Sequence, residues 1–196
     1  MEFCDLTLSL QKKNVLIMRL MRRKIDDFLK EWKENEDRLP LIVKGARQIG
    51  KTASIMQFAN DNYKNVVAIN FVLQQKFKSI FDDGYDVDSV VRNITLIDPS
   101  IELEPGNTIF FFDEMQDCPV CATSLKAFKI DGRYDVVCSG SLMGINYQEI
   151  ESNSVGYKED YTMHSMDFEE FLWAKGYDSA FVERLFEKMV SVTPLS

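Results

Sequence analysis

The chain has 196 residues, 45% hydrophobic and 28% charged, with a formal net charge of −8 and a pI near 4.8. That is room for one α/β domain with a sizeable core and the composition of an ordinary globular protein. There is no apolar run of membrane-spanning length, and Val15 to Met18 is too short for a signal peptide, so a cytoplasmic, membrane-free protein is expected. The acidity is uneven: residues 1–133 carry 19 Lys+Arg against 20 Asp+Glu, and residues 134–196 carry 4 against 11, which argues against a general nucleic-acid surface. The four cysteines, Cys4, Cys118, Cys121 and Cys138, are scattered and read as free thiols.

In chain order, residues 1–17 carry no pattern and read as unstructured or as an extension, with Met18 an alternative start. A helix is predicted from there to about Asn35, because Ile25, Phe28, Leu29 and Trp32 fall at i, i+3, i+4 and i+7. The basic stretch Lys12, Lys13, Arg19, Arg22, Arg23 and Lys24 reads as a solvated face of that helix; the other reading is contact with phosphate backbone or anionic lipid. A first strand, about 39–44, runs into Gly45-Ala46-Arg47-Gln48-Ile49-Gly50-Lys51-Thr52, which fits the pattern G-x-x-x-x-G-K-[ST] without a mismatch. A helix from Ala53 to Asn60 follows. Glycines let successive N–H groups turn inward on phosphate oxygens, and the helix adds its positive end. Gly45, Ala46, Arg47, Gln48, Ile49, Gly50, Lys51, Thr52 and Ala53 are therefore the predicted nucleotide-binding residues. Lys51 would reach the β- and γ-phosphates, and Thr52 would ligate Mg²⁺.

A second strand is predicted over Val66 to Val72, then helical stretches over 74–81 and 87–94 separated by Asp82-Asp83-Gly84. After the Pro105-Gly106 turn comes Thr108 to Phe112, continuously apolar as a strand buried on both faces should be. A helix from Cys121 to Lys129 and a fourth strand from Tyr134 to Cys138 follow. Then come a loop with Gly144, Asn146 and Ser152 to Ser154, and a fifth strand from Tyr161 to Met166. Asp167 and Glu170 form a capping box for a helix ending near Lys175 and Gly176, and a last helix spans about Phe181 to Val190. The alternation implies a parallel, helix-flanked sheet.

The third strand ends in Asp113-Glu114. An aspartate at the carboxyl end of a strand would hold Mg²⁺ with Thr52, and Glu114 would orient and deprotonate the attacking water. A whole strand lies between the two motifs, and a glutamate follows the aspartate; both point to P-loop ATPases that hydrolyse with a glutamate rather than to kinases or GTPases. In such a sheet the fourth strand lies between the first and third. Ser139, or else Ser141, could then sense the γ-phosphate or the water; the other reading is a small-residue turn.

The stretches Val43 to Thr52, Phe111 to Pro119, Cys138 to Leu142 and Met166 to Leu172 together resemble the prokaryotic AAA+ ATPases of the AAA_14 type, related to STAND-like ATPases, over about residues 19–190. The resemblance implies ATP and Mg²⁺ as ligands, hydrolysis to ADP and phosphate, and a five-stranded sheet of order 5-1-4-3-2. It makes residues 18–196 an ATPase domain cut before the helical lid and nuclease-like domain usual in such proteins. Catalytic roles then fall to Glu114, Lys51 and Ser139, and metal binding to Thr52 and Asp113. Such enzymes carry an arginine finger between strands four and five; no arginine occurs from Tyr134 to Glu183, and Arg133 is the nearest, with a surface helix-end cation as its other reading. The alternative function is a nucleotide-gated switch with little turnover, and a third is a nucleic-acid motor or nuclease-associated ATPase. A protein partner is expected without an identity, and nucleic acid is left unsupported.

Weaker signals remain. Cys118-x-x-Cys121 has half of a zinc-site spacing, and packing at a helix start is its other reading. His164 reads as structural. Gln116 matches the D-E-x-Q spacing of helicases, but the chain has room for only one such domain. Arg47 and Gln48 could contact a partner or Gln116, or face solvent.

Overall fold

A computed structural model describes residues 21–141 and 156–190. The expectations for residues 1–17, the Met18 start, Lys12, Lys13, Arg19, Cys4, Leu142 and the loop with Gly144, Asn146 and Ser152 to Ser154 fall outside those residues. The described residues form two compact units: 29–141 with 156–164, and 21–28 with 165–190. Helix α1, Lys24–Glu34, contributes to both.

The larger unit is a five-stranded sheet of β1 (Leu41–Gly45), β2 (Asn65–Asn70), β3 (Thr108–Asp113), β4 (Asp135–Ser141) and β5 (Glu159–Met163), in the order β2-β3-β4-β1-β5. Every neighbouring pair is parallel. This is the predicted P-loop NTPase order read from the opposite edge. The crossovers are α2 (Lys51–Asn62), a 3₁₀ turn (Gln75–Phe81) with α3 (Val87–Ile97), and α4 (Cys121–Asp131).

Side chains alternate across a strand, so Phe110 and Phe112 face one side of β3 while Ile109 and Phe111 face the other. All four are buried, as only a strand covered on both faces allows. On the Phe110 side Phe71, Phe81, Phe112, Phe128 and Tyr134 close around the strand, with ring centroids such as Phe110–Phe128 at 5.3 Å and Phe110–Tyr134 at 5.4 Å. At the amino edge of the sheet Asp135 accepts both Arg38 Nε (2.7 Å) and Nη2 (2.9 Å) and the Tyr63 hydroxyl (2.7 Å). Burial and the Asp135 charge push the Tyr63 phenol above its ordinary pKa.

Several boundaries differ from expectation. β2 stops at Asn70 rather than Val72, because the Asn70 carboxamide oxygen accepts the N–H groups of Val72 and Leu73, both at 3.0 Å, and bends the chain. β4 continues through Ser139, Gly140 and Ser141 instead of turning at Cys138, because these pair with Val43, Lys44 and Gly45 of β1. β5 begins at Glu159 and ends at Met163, matching the five residues of β1; His164 lies just beyond it and is exposed.

The smaller unit is built on charge pairing. Asp167 caps α5 (Phe168–Ala174), and Glu170 completes the predicted capping box. Glu170 also accepts the Lys24 N–H at 2.8 Å and pairs with Arg23 at 3.1 Å, both side chains buried. Lys24 pairs with Asp167 and Glu169, and these contacts raise its pKa. Arg22 pairs with Asp27 and stacks over Trp173 at 4.5 Å. Arg22 and Lys24 are thus exposed, as a solvated face requires, but paired with carboxylates of their own chain, whereas Arg23 is buried against Glu170. Helix α6, Ser179–Val190, completes the unit.

Candidate functional site

The order β3-β4-β1 sets the carboxyl ends of three strands side by side, and the phosphate loop leaves β1 at that edge. Gly45 permits this: a Cβ there would lie 2.4 Å from the Met163 carbonyl oxygen and 2.6 Å from Ile49 Cδ1. Gln48 (φ 62°) and Gly50 (φ 98°) take left-handed backbone, which closes the loop before α2 begins at Lys51. An open cleft of about 650 Å³ follows the loop from Arg47 to Ala53 and is walled by Asn70 and Glu114.

Lys51 is buried, and its Nζ donates to the Gly45 carbonyl at 3.1 Å and the Ala46 carbonyl at 2.6 Å. Burial lowers its pKa, Glu114 and Asp113 pull it back up, and Arg47 pushes it down. The ammonium is thus folded into the cradle, held by neutral acceptors.

Asp113 is 5% exposed and collects three donors. Thr52 Oγ1 donates to Oδ2 at 3.1 Å, Asn70 Nδ2 donates to Oδ2 at 3.0 Å, and Ser139 Oγ donates to Oδ1. The hydroxyl of Thr52 spends its proton on Asp113 and keeps oxygen lone pairs for a cation. Paired with the carboxylate, this is a hard oxygen donor set of the kind Mg²⁺ takes alongside its waters.

Glu114 has left-handed backbone (φ 56°) that turns the chain off the sheet into a 3₁₀ turn, Met115–Asp117, pinned by the buried Met115. The side chain of Glu114 lies on the cleft and accepts from Gln116 Nε2. The sequence-predicted residues Gly45 to Ala53, Asp113 and Glu114 therefore converge on one edge. Ser139 is 1% exposed and spends its hydroxyl on Asp113, and Ser141 is buried beside it with its N–H donating to Gln116 Oε1 at 3.2 Å. Arg133 precedes β4 at the opposite, amino edge of the sheet, paired with Asp131 and Asp88. Cys118 and Cys121 are buried with their thiol pKa values raised, Cys118 to about 12 by burial and Cys121 chiefly by its hydrogen bond with Cys138. No group of three or more His, Cys, Asp or Glu that could hold a metal ion occurs among the described residues.

Asn70 was not legible as a site residue. The only signal is its register opposite Asp113 at the end of the neighbouring strand.

The sequence profile of the AAA_14 family, described as an AAA domain, matches residues 37–172. A protein of Haemophilus influenzae, described as uncharacterized, is 24% identical over 179 residues, covering 89% of this chain and 40% of that protein. The chain thus spans well under half the length of that relative. Among solved structures, Caenorhabditis elegans PCH-2 is similar at a TM-score of 0.40 and 14% identity, over 80% of this chain and 42% of that one. A Thermotoga maritima RuvB variant is similar at 0.43 and 15%, over 72% and 48%. Drosophila ORC bound to GC-rich DNA and Cdc6 is similar at 0.44 and 11%, over 94% and 69%. No helix among the described residues is long and apolar enough to cross a membrane.

Proposed function

Because this chain belongs to the AAA_14 family of AAA domains, we propose that it binds ATP with Mg²⁺ in the cleft along Gly45 to Ala53 and cleaves it to ADP and phosphate. The observation that carries this reading is the convergence of Thr52 on a buried Asp113 beside Lys51 and Glu114. The loop N–H groups and the start of α2 receive the phosphate oxygens, and the Lys51 ammonium offsets charge on the β- and γ-phosphates. Thr52 and Asp113 would hold Mg²⁺, which would offset the negative charge of the phosphate chain. Glu114 takes a proton from water as the water oxygen bonds to the γ-phosphorus. The bond from that phosphorus to the β,γ-bridging oxygen breaks, and ADP leaves with the electron pair. Ser139 acts through Asp113, to which its hydroxyl is committed, and not by direct contact with the γ-phosphate.

The experiment is phosphate release in a single turnover with protein in excess, comparing the parent with Glu114→Gln. The amide keeps the size and hydrogen bonding of the carboxylate but cannot take the proton, so the rate should fall about 10²- to 10⁴-fold with ATP affinity kept. Equal rates would remove Glu114 from the role of base.

One observation favours a second reading, a nucleotide-gated switch with little turnover. Among the described residues Lys51 and Arg47 are the cations that line the cleft, and Arg133 lies at the amino edge of the sheet. ATP binding by the parent without any phosphate release would select the switch.

A further inference from the structure

We propose that Gln116 is a positioning residue for Glu114: its amide ties the Glu114 carboxylate to the end of β4 and keeps it facing the phosphate cradle without collapsing onto Lys51. This rests on the reading of Glu114 as the base for water.

The left-handed backbone at Glu114 and the 3₁₀ turn after it carry the side chain of residue 116 back alongside that of residue 114. There Gln116 Nε2 donates to Glu114 Oε2 and, at 3.3 Å, to Asp117 Oδ2, while Oε1 accepts the Ser141 N–H at 3.2 Å. The amide fits only this way round: its donor side meets two carboxylates and its acceptor side meets an N–H. Ser141 is paired in register with Gly45, the first residue of the phosphate loop. Glu114 is thereby connected through one side chain to the strand beside the cradle it serves.

The need for such a tie follows from charge. Glu114 and Lys51 line the same cleft with opposite charges. A glutamate on free rotors would close on that ammonium and neutralise both groups. Instead Lys51 donates to the Gly45 and Ala46 carbonyls, and the Glu114 carboxylate is held by the amide of Gln116. Gln116 thus keeps the proton acceptor and the phosphate-binding cation apart. A carboxylate positioned this way also has less to reorganise when water must be oriented.

The test is a pair of double-mutant cycles on the whole chain. The first is read by urea unfolding without nucleotide and needs no turnover. Gln116→Met, close in shape but without the amide, should lower the folding equilibrium constant about three- to tenfold in the parent and by a smaller factor in Glu114→Ala, where only the Ser141 and Asp117 contacts are left to lose. The second is read by single-turnover phosphate release and by titration with ATP. Gln116→Met should slow release about 10- to 100-fold, weaken ATP binding by less than Lys51→Ala does as Glu114 closes on Lys51, and add nothing to the loss of release in Glu114→Gln. Gln116→Glu, which sets a carboxylate against Glu114, should slow release at least as much. Additive effects in the unfolding cycle overturn the contact. Coupling in unfolding with parental release overturns the positioning role and leaves the hydrolysis reading intact. A parent that releases no phosphate overturns the hydrolysis reading itself, and the positioning role with it.

Discussion

Replacing Asp113 by asparagine tests the local chemistry of the site in a way that can be worked through atom by atom. The carboxylate offers two oxygens to three donors. An amide offers one. Asn70 cannot reverse its own carboxamide, because its oxygen is held by the N–H groups of Val72 and Leu73 at 3.0 Å. The new amide oxygen must therefore face Asn70 and Thr52, and its NH₂ must face Ser139. The Ser139 hydroxyl, 1% exposed, then accepts from that NH₂ and has no partner for its own proton. A buried unsatisfied donor costs about 1–3 kcal/mol, and for a chain of this size each kcal/mol moves the melting midpoint by about 2–4 °C. Asp113→Asn should therefore melt about 2–12 °C below the parent in nucleotide-free buffer. Ser139→Ala removes the stranded proton, so it should cost about 1 kcal/mol in the parent and almost nothing, or less, in the Asp113→Asn background. The same substitution should raise the Mg²⁺ concentration needed for ATP binding, since a hard cation prefers an anionic oxygen. Thermal unfolding of the four proteins decides the matter. Equal midpoints for parent and Asp113→Asn, or strictly additive effects of the two substitutions, would refute the convergence of these donors.

Three further outcomes follow from the same geometry. Gly45→Ala places a methyl group 2.4 Å from the Met163 carbonyl oxygen, so the β1–β5 pairing must shift; an overpacking cost of about 1–3 kcal/mol is expected in urea unfolding. Tyr63 has its pKa raised by burial and by Asp135, so it steadies the fold fully below pH 10 and loses that contribution as the pH rises past the ordinary tyrosine value. Tyr63→Phe should cost about 1 kcal/mol near neutrality and flatten the loss of stability above pH 10, read by unfolding at a series of pH values. Lys51 has its pKa lowered by burial, so ATP affinity should begin to fall at a pH below the ordinary lysine value of 10.5, and no such fall should appear with Lys51→Ala.

The sheet order was legible through the family resemblance of the motifs, and β3 was legible as an inner strand because it is apolar on both faces, which only a covered strand tolerates. The capping box at Asp167 and Glu170 was legible because it needs only four consecutive residues. What escaped depended on contacts far apart in the chain. Ser139, Gly140 and Ser141 look like a turn until β1 is laid beside them, when they become the end of a strand. Val72 looks like strand until the Asn70 side chain is seen capping it. Arg23 looks like a surface cation, yet it is buried against Glu170, 147 positions away. Asn70 carries no motif that declares its role, and the D-E-x-Q spacing at Gln116 pointed to helicases rather than to a tie on Glu114; each acts through a partner that the fold brings near.

On the proposed reading, the edge formed by Gly45 to Ala53 with Asp113 binds ATP. Calorimetric titration of ATP with Mg²⁺ into the parent and into Lys51→Ala tests it most directly. The parent should bind ATP at a single site, and Lys51→Ala should lose about 1.5–3 kcal/mol of binding free energy, the range for a charge-assisted hydrogen bond, or about 10- to 150-fold in Kd. No binding by the parent, or equal affinity in the two proteins, would contradict the account.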